Sequence, residues 1–343
     1  MPLALPEAND GQPLGEAFAA WSAGLVKHPA LRRLAELSGW NVPPSPPAPT
    51  ADVLVALAAR SEDWDARRGA ERHRLSHVPA EIGGHVVDEA EVIAAANALG
   101  LVGGMAVTGR FTHLVVLGGM VRACRARVSL AADLARKLGA DRYVVLTAHR
   151  PLSGAEPEHA ADLGWGWVTS EREAAALATK EILALPATPR SIEEGVAGLR
   201  RPAGDPGADP EEVDARRRWS WATWDGQGGE RVEVVSAPSG DPERRRANTV
   251  DQLVFWAGRE GIARHHRLLL VTTDHYVPPT QLRAVRVLGL PTGCGIVTTG
   301  TAWNPPGPYR AAGYLQELRS TLLAAVELQA ALTGSLPVAW REY

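Results

Sequence analysis

Residues 113–119 read HLVVLGG, and this short stretch decides the fold class. Consecutive apolar residues closed by glycines are typical of a strand that is buried on both faces of a parallel sheet. Helical spacing follows in residues 126–140 (ARVSLAADLARKLGA), and a second buried strand follows in residues 142–151 (RYVVLTAHRP). A strand, a helix and another buried strand of these lengths predict one βαβ unit.

The chain repeats this alternation up to residue 332. It predicts an α/β fold with a doubly wound, mostly parallel, Rossmann-like sheet. The further strands are expected in residues 231–239, 267–276 and 293–300, and the further helices in residues 169–185, 248–261, 278–289 and 314–332.

The segments outside this pattern differ from it in composition and in predicted secondary structure. Residues 1–110 contain no strand-like run and predict a helical N-terminal subdomain or cap, ahead of the α/β domain of residues 111–343. Residues 186–229 read as a polar insertion rich in Pro, Gly and Trp, whose tryptophans either anchor a long loop or cover a planar ligand. N-terminal helices are expected in residues 14–26, 30–40, 51–75 and 89–101, and the tryptophans of the insertion are Trp219, Trp221 and Trp224.

Composition narrows the class of protein. With 343 residues, 45% hydrophobic and 22% charged, the chain can build a full core, which excludes disordered and small stapled classes. A net charge of −3 argues against a nucleic-acid partner. Two cysteines, Cys124 and Cys294, cannot form a disulfide framework or a four-cysteine zinc site. Without a signal-peptide pattern or a long apolar run, we expect a cytoplasmic protein with no membrane partner.

Polar residues follow each predicted strand, at the edge where ligands of open α/β sheets bind. Glycines after the first strand would let the backbone approach an anion, or they merely allow tight packing. Neither GxGxxG nor GxxxxGK[ST] occurs, which disfavours NAD and P-loop nucleotide sites. The expected ligand-binding residues at this edge are Gly118, Gly119, Arg122, Arg127, Thr147, Arg150, Asn248, Thr249, Thr272 and Thr273.

Three further residues are expected to act in catalysis or substrate contact. His275 is the first choice for proton transfer, because histidine titrates near neutral pH. His149 and Glu156 are the other two candidates. Each position also has an ordinary structural explanation: His275 as a buried histidine at a strand end, and Asn248 with Thr249 as a helix cap.

The order of these motifs resembles the YdcF/SanA/ElyC-like family over roughly residues 112–330. The resemblance rests on residues 115–119, Arg127, Ser170-Glu171 with Glu173-Ala174, Asn248-Thr249, residues 269–275 and Arg283-Ala284. Arg283 is also an expected ligand-binding residue. The chain departs from the family where Thr147-Ala148-His149-Arg150 replaces a serine-glycine-glycine turn. The resemblance implies a doubly wound fold, and S-adenosylmethionine as a cofactor of one branch.

We therefore expect a soluble enzyme, a transferase or hydrolase, that acts on a small, partly anionic and nucleotide-like ligand in specialised metabolism. The alternative is a non-catalytic protein that binds S-adenosylmethionine or a nucleotide. A third alternative is an interaction scaffold that uses the Trp-rich insertion. The cofactor is unknown, no metal is expected, and a homo-oligomer remains open.

Overall fold

The N-terminal region is mainly helical, as the sequence predicts. Asp88 caps one of its helices by accepting from the N–H of Ala90 at 2.8 Å, and Pro29 begins another with its fixed backbone angle. The computed structural model describes residues 13–40, 49–65, 81–82, 85–86, 88–102, 107–198, 210–302 and 310–336. The N-terminal elements are α1 (Leu14–Lys27), α2 (Pro29–Leu37), α3 (Thr50–Arg60), β1 (Glu81–Ile82), β2 (His85–Val86) and α4 (Glu89–Ala98).

Two expectations for this region were wrong. The helix predicted over residues 51–75 ends at Arg60, and a 3₁₀ turn over Ser61–Trp64 follows it. Residues 66–75 lie outside the described part. Strands β1 and β2 pair antiparallel where no strand was expected, because two-residue strands leave no periodic signal.

The elements after residue 110 alternate as predicted. The predicted strand at residues 113–119 is observed at residues 111–117, close to its expected place. The strands are β3 (Phe111–Leu117), β4 (Ala140–Ala148), β5 (Ser191–Val196), β6 (Arg218–Asp225), β7 (Arg231–Ala237), β8 (Arg267–Thr273) and β9 (Gly295–Thr301). The helices are α5 (Val121–Leu138), α6 (Glu156–Asp162), α7 (Glu171–Ile182), α8 (Pro210–Arg217), α9 (Thr249–Glu260), α10 (Val277–Ala284), α11 (Leu290–Thr292) and α12 (Ala311–Leu332), with a π-helical turn over Val285–Gly289.

Within the described residues, strands β3 to β9 form one seven-stranded sheet. Its order is β5-β6-β7-β4-β3-β8-β9. The five neighbouring strands β7, β4, β3, β8 and β9 are parallel to one another. Strand β6 pairs antiparallel with both β5 and β7. The predicted α/β class with a mostly parallel sheet is confirmed.

Apolar side chains fill a core on each face of the sheet. Alternate residues of β3 divide between them: Leu114 and Val116 face one core, and Val115 and Leu117 face the other. The first core includes residues of α5 and α7, and the second includes residues of α9, α10 and α12. The N-terminal helices share the second core, so they pack against the α/β elements through a continuous apolar cluster.

Residues 186–229 contain regular structure instead of a purely irregular insertion. They supply helix α8 and strands β5 and β6, and the two strands extend the parallel sheet at one edge. Trp221 and Trp224 on β6 are buried, and Trp219 packs against Phe255 of α9. These contacts support the alternative in which the tryptophans anchor the segment to its neighbours.

The described helices are all too short or too polar to cross a bilayer.

Candidate functional site

A cavity of about 700 Å³ lies beyond the carboxyl ends of the parallel strands. The loops after β3 and β4, the start of α9, and helices α10 and α12 supply its lining. The chain runs from β3 outward through β4 to β7, and then returns to the other side of β3 with β8. Open α/β sheets bind ligands at this reversal of strand order, and this volume suits a small molecule. We call it the central cavity.

Most of the predicted ligand-binding residues line the central cavity, although they come from distant segments. The loops that follow successive parallel strands meet at one edge of the sheet, as the sequence analysis assumed. The predicted residues in the lining are Gly118, Gly119, Arg127, Arg150, Glu156, Asn248, Thr249, Thr272 and Arg283.

Five predicted residues lie outside the lining. Thr147 and Thr273 are buried within the strand ends, and Arg122 turns to the surface, where it pairs with Asp162 at 2.7 Å. The half-buried His149 lies among other charged groups: burial and the charges of Arg172 and Arg218 lower its pKa.

His275 also lies outside the lining, although it was the first choice for proton transfer. Its side chain is 1% exposed, and its ring packs edge-on against Tyr276 and Tyr314. A buried position among aromatic rings matches the structural alternative for this histidine. The geometry therefore does not support proton exchange between His275 and a ligand in the central cavity.

The turn after β3 is held so tightly that only glycine fits at residue 118. Its N–H donates to the carbonyl oxygen of Leu146 at 2.6 Å. A Cβ added at Gly118 would lie 2.7 Å from that oxygen and 2.7 Å from Oε1 of Glu171. The carboxylate of Glu171 therefore lies directly against this turn, within the lining of the central cavity.

Arg127 joins the ends of two neighbouring strands. Its Nε and Nη2 donate to Oγ1 of Thr273 at 3.0 and 2.9 Å, and its Nη1 donates to the carbonyl oxygens of Leu117 and Gly118. A guanidinium group has five N–H donors, and these contacts engage all three nitrogens. Arg127 therefore positions the floor of the cavity between β3 and β8, a role that its expected anion contact did not include.

A buried cluster of one arginine and two glutamates forms another part of the lining. Arg150 donates to both carboxylate oxygens of Glu156, at 2.6 and 2.9 Å, and through Nε to Oε2 of Glu171 at 2.5 Å. All three side chains are at most about one-tenth exposed. This fork-shaped pairing fixes both carboxylates with good hydrogen-bond geometry.

Burial shifts the proton equilibria around this cluster. Burial alone would lower the pKa of Arg150, but Glu156 and Glu171 outweigh it and raise that pKa. Burial raises the pKa of Glu171, against the charge of Arg150. The thiol of Cys124 has a pKa of about 12, raised first by burial and then by the charge of Glu171. A carboxyl group in a cavity with a raised pKa is suited to proton transfer, whereas a thiol with a pKa of about 12 is a poor nucleophile.

The start of α9 forms another wall, and its side chains cap the helix. Asn248 accepts from the N–H groups of Val250 and Asp251 at 2.9 and 3.1 Å, and Asp251 accepts from the N–H of Asn248. Arg245 pairs with Asp251, which fixes the loop before the helix. The capping explanation for Asn248 is therefore correct. Because the cap uses Oδ1, a ligand would contact the side-chain NH2 group of this residue.

The lining carries an excess of positive charge. Seven arginines and four glutamates line the described cavity. Two of these arginines have partners outside the lining, since Arg245 pairs with Asp251 and Arg319 lies 3.8 Å from Asp65. Lining arginines that the sequence analysis missed are Arg245, Arg246, Arg286 and Arg319.

Helix α12 supplies a polar stripe that sequence reasoning also missed. The polar residues Gln316, Ser320 and Glu327, together with the apolar Leu323, recur at spacings of three and four residues, so they lie on one face of the helix, and all line the cavity. Polar residues at helical spacing inside an otherwise apolar helix were the available signal.

The N-terminal region contacts the lining of the cavity through Asp65. The carboxylate of Asp65 is 3.8 Å from Arg319 of the lining. Asp63 instead accepts from Trp40 Nε1 at 3.1 Å. Residues 66–72 lie outside the described part.

Comparison with known proteins gives distant relatives. The chain is 27% identical over 221 residues, 63% of its length, to an uncharacterized protein of Mycobacterium bovis and to uncharacterized proteins of two Mycobacterium tuberculosis strains. The chain spans 58% of the length of these relatives. No protein-family model matches the chain, and no solved structure matches it.

Proposed function

We propose that the protein is an enzyme that acts on a small, partly anionic molecule bound in the central cavity. The observation that carries this proposal is a cavity of about 700 Å³ at the reversal of strand order, with more arginines than glutamates in its lining. A positive lining attracts negative ligands and favours their charged groups over water. The reaction class that we propose is transfer or hydrolysis of a group on this ligand.

We further propose that the sheet is a doubly wound, Rossmann-like arrangement. Numbered along the chain, the parallel strands follow the order 3-2-1-4-5, with helices on both faces. This is the order of five of the six strands in the classic dinucleotide-binding fold. The resemblance to the YdcF/SanA/ElyC-like family stays part of this proposal, and it motivates testing S-adenosylmethionine as a ligand.

The turn after β3 and the start of α5 would hold the anionic group. No side chain caps α5 at Met120, and its first turn carries no acidic residue. The N–H groups at this helix start form the positive end of the helix dipole, and no acidic side chain in the first turn neutralises them. Arg246 and Arg283, which also line the cavity, would add positive charge.

Glu171 would serve as the proton-transfer group in place of His275. It lines the cavity beside Gly118, its Oε2 is fixed by Arg150, and burial raises its pKa. A fixed carboxyl group with a raised pKa is suited to donate or accept a proton.

The test is a ligand-binding panel on the wild type and on Arg283→Ala. The panel contains inorganic phosphate, sugar phosphates, nucleotides and S-adenosylmethionine, and the readout is the thermal midpoint, Tm. A ligand at 100 times its Kd stabilises the folded state by about 2.7 kcal/mol, which raises the Tm of a chain of this size by several degrees. We expect at least one anion to raise the Tm, and Arg283→Ala to reduce that shift.

Arg110→Ala is the matched control, because Arg110 is 75% exposed and pairs with Asp141 at the opposite, amino end of the strands. This variant should keep the full ligand shift. A panel in which no anion changes the Tm of the wild type would refute the anionic-ligand proposal.

The alternative is a non-catalytic protein that binds the same class of ligand. Glu171→Gln separates the two, because the amide keeps the shape of the side chain but cannot transfer a proton. An enzyme would lose turnover of the bound ligand and retain measurable binding. If ligands bind the wild type without any turnover, the non-catalytic alternative is favoured.

A further inference from the structure

Tyr276 is the only aromatic residue among the described residues that line the central cavity. It is partly buried and lies directly before α10. A tyrosine ring offers a large apolar surface to a planar ligand group, and ordering it costs little conformational entropy because the side chain has only two χ angles. Tyr276 therefore suits a different part of a ligand from the arginines and glutamates around it.

Two neighbours hold the ring of Tyr276 in place. The ring of His275 meets it edge-on, with 4.1 Å between the two centroids, and Cζ of Arg127 lies 5.7 Å from its centroid. Both neighbours are almost completely buried, at 1% and 4% exposure. Because its surroundings position the ring before a ligand arrives, little further ordering is needed on binding.

Tyr276 lies close to the position proposed for the anionic group. Nη1 of Arg127 donates to the carbonyl oxygen of Gly118, and a Cβ added at Gly119 would lie 3.0 Å from the same nitrogen. One guanidinium group therefore contacts both the ring of Tyr276 and the turn that leads into α5. The ring and the turn are near enough for one small molecule to contact both.

Helix α10 places a second cation on the same side as the ring. Tyr276, Pro279, Thr280 and Arg283 are related by spacings of three and four residues, so they lie on one face, and all four line the cavity. Seven residues separate Tyr276 from Arg283, which corresponds to about 10 Å along the helix axis. A molecule that carries a planar group and an anionic group matches this arrangement of a ring and a cation.

We propose that Tyr276 determines ligand specificity by contact of its ring with a planar heterocyclic group, so that the cavity takes a nucleotide in preference to a sugar phosphate without a base. This inference rests on the proposed function, since it assigns the planar part of the same anionic ligand.

The experiment measures Kd values by calorimetry for ribose 5-phosphate and for the nucleotides AMP, GMP and UMP. Ribose 5-phosphate carries the sugar and the phosphate of these nucleotides but no base. We expect at least one nucleotide to bind the wild type at least about tenfold more tightly than ribose 5-phosphate, as contact between a base and an aromatic ring provides.

Two variants assign that preference to the ring. Tyr276→Leu should remove most of the preference and leave the Kd of ribose 5-phosphate within about twofold, because only the base loses its contact. Tyr276→Phe should keep the preference, because it retains the ring and removes only the hydroxyl group. A structural role of Tyr276 would instead weaken the binding of both kinds of compound together.

Tyr314→Leu is the matched control. Tyr314 also packs edge-on against His275, with 6.3 Å between the centroids, but it is not among the residues of the lining. This variant should lower the Tm, because Tyr314 is 8% exposed, and should keep the preference for the nucleotide.

The outcomes distinguish this inference from the function on which it rests. If ribose 5-phosphate binds the wild type and no nucleotide binds more tightly, the inference about Tyr276 is overturned and the anionic site stands. A preference that is kept in Tyr276→Leu, lost in Tyr276→Phe or lost in Tyr314→Leu also overturns it. Should Tyr276→Leu fail to fold, Tyr276→Met takes its place in the comparison. If none of the four compounds binds the wild type, both proposals are overturned.

Discussion

Arg150→Met removes the guanidinium group from between two buried carboxylates. Arg150 makes three hydrogen bonds of 2.5 to 2.9 Å to Glu156 and Glu171, and the two glutamates are 3% and 5% exposed. Methionine fills much of the same volume but supplies neither charge nor donors. The folded variant must therefore either hold two neighbouring buried negative charges or protonate them.

The expected cost follows from the loss of one partner of a buried ion pair. Such a loss destabilises proteins by about 3–5 kcal/mol, because it leaves uncompensated buried charge. For a chain of this size, this corresponds to a fall in Tm of roughly 4–7 °C. Glu156→Gln and Glu171→Gln, added together to Arg150→Met, should recover most of the loss, because they remove the buried charges.

The cost should depend on pH in a defined direction. Burial raises the pKa of Glu171 and the charge of Arg150 opposes this rise, so without Arg150 the pKa of Glu171 in the folded variant rises further above that in the unfolded chain. The folded state then binds more protons than the unfolded state, so the free energy of unfolding falls as pH rises through this range. The difference in stability between wild type and variant should narrow as pH is lowered from 7 to 5.

Urea denaturation of both proteins between pH 5 and pH 8 measures these quantities. The control is Arg190→Met, since Arg190 and Asp225 form a pair that is more than 60% exposed on both sides and contributes at most about 1 kcal/mol. A loss below about 1 kcal/mol for Arg150→Met, or a loss that does not change with pH, would refute the buried-charge reasoning.

Three further predictions concern Gly118, Thr273 and Cys124. Gly118→Ala should destabilise the protein by about 1–3 kcal/mol, because its Cβ would lie 2.7 Å from the backbone oxygen of Leu146. The control Gly15→Ala should stabilise helix α1 slightly, because a Cβ at residue 15 has no atom within 4 Å. Urea denaturation measures both. Thr273→Val should cost about 1–3 kcal/mol in the same assay, because it removes the acceptor of two N–H groups of the buried Arg127, and a neutral outcome would argue against that contact. Cys124, which is 1% exposed with a pKa of about 12, should resist iodoacetamide at pH 8 in the native protein and react only in denaturant, as mass spectrometry of the labelled peptide would show.

Much of the fold was predictable because buried parallel strands have a strong local signal. The apolar run at residues 113–119 and its counterparts were found within two or three residues of the observed strands. Strands β5 and β6 were missed, and β5 is the antiparallel edge strand of the sheet. Every residue of β5 except Gly195 is exposed, so burial imposes little pattern on its sequence.

The candidate site was predictable as a place and only partly as a set of contacts. Parallel strands bring their carboxyl ends to one edge, so Gly118, Asn248 and Thr272 could be assigned to it without a structure. The direction of each side chain could not be assigned in the same way. His275 turns into an aromatic environment and Arg127 bonds the strand ends, because neighbouring elements that are far apart in sequence determine these orientations.

The sequence by itself determined the α/β class, the parallel strands and the edge where a ligand is expected, because these follow from short-range hydrophobic periodicity and a general rule of strand connection. Only the tertiary structure decided which polar groups share the central cavity. The pairing of Arg150 with Glu156 and Glu171 depends on distances between side chains that different loops and helices bring together. Burial in that shared environment sets their charge and hydrogen bonding, and no local stretch of sequence specifies it.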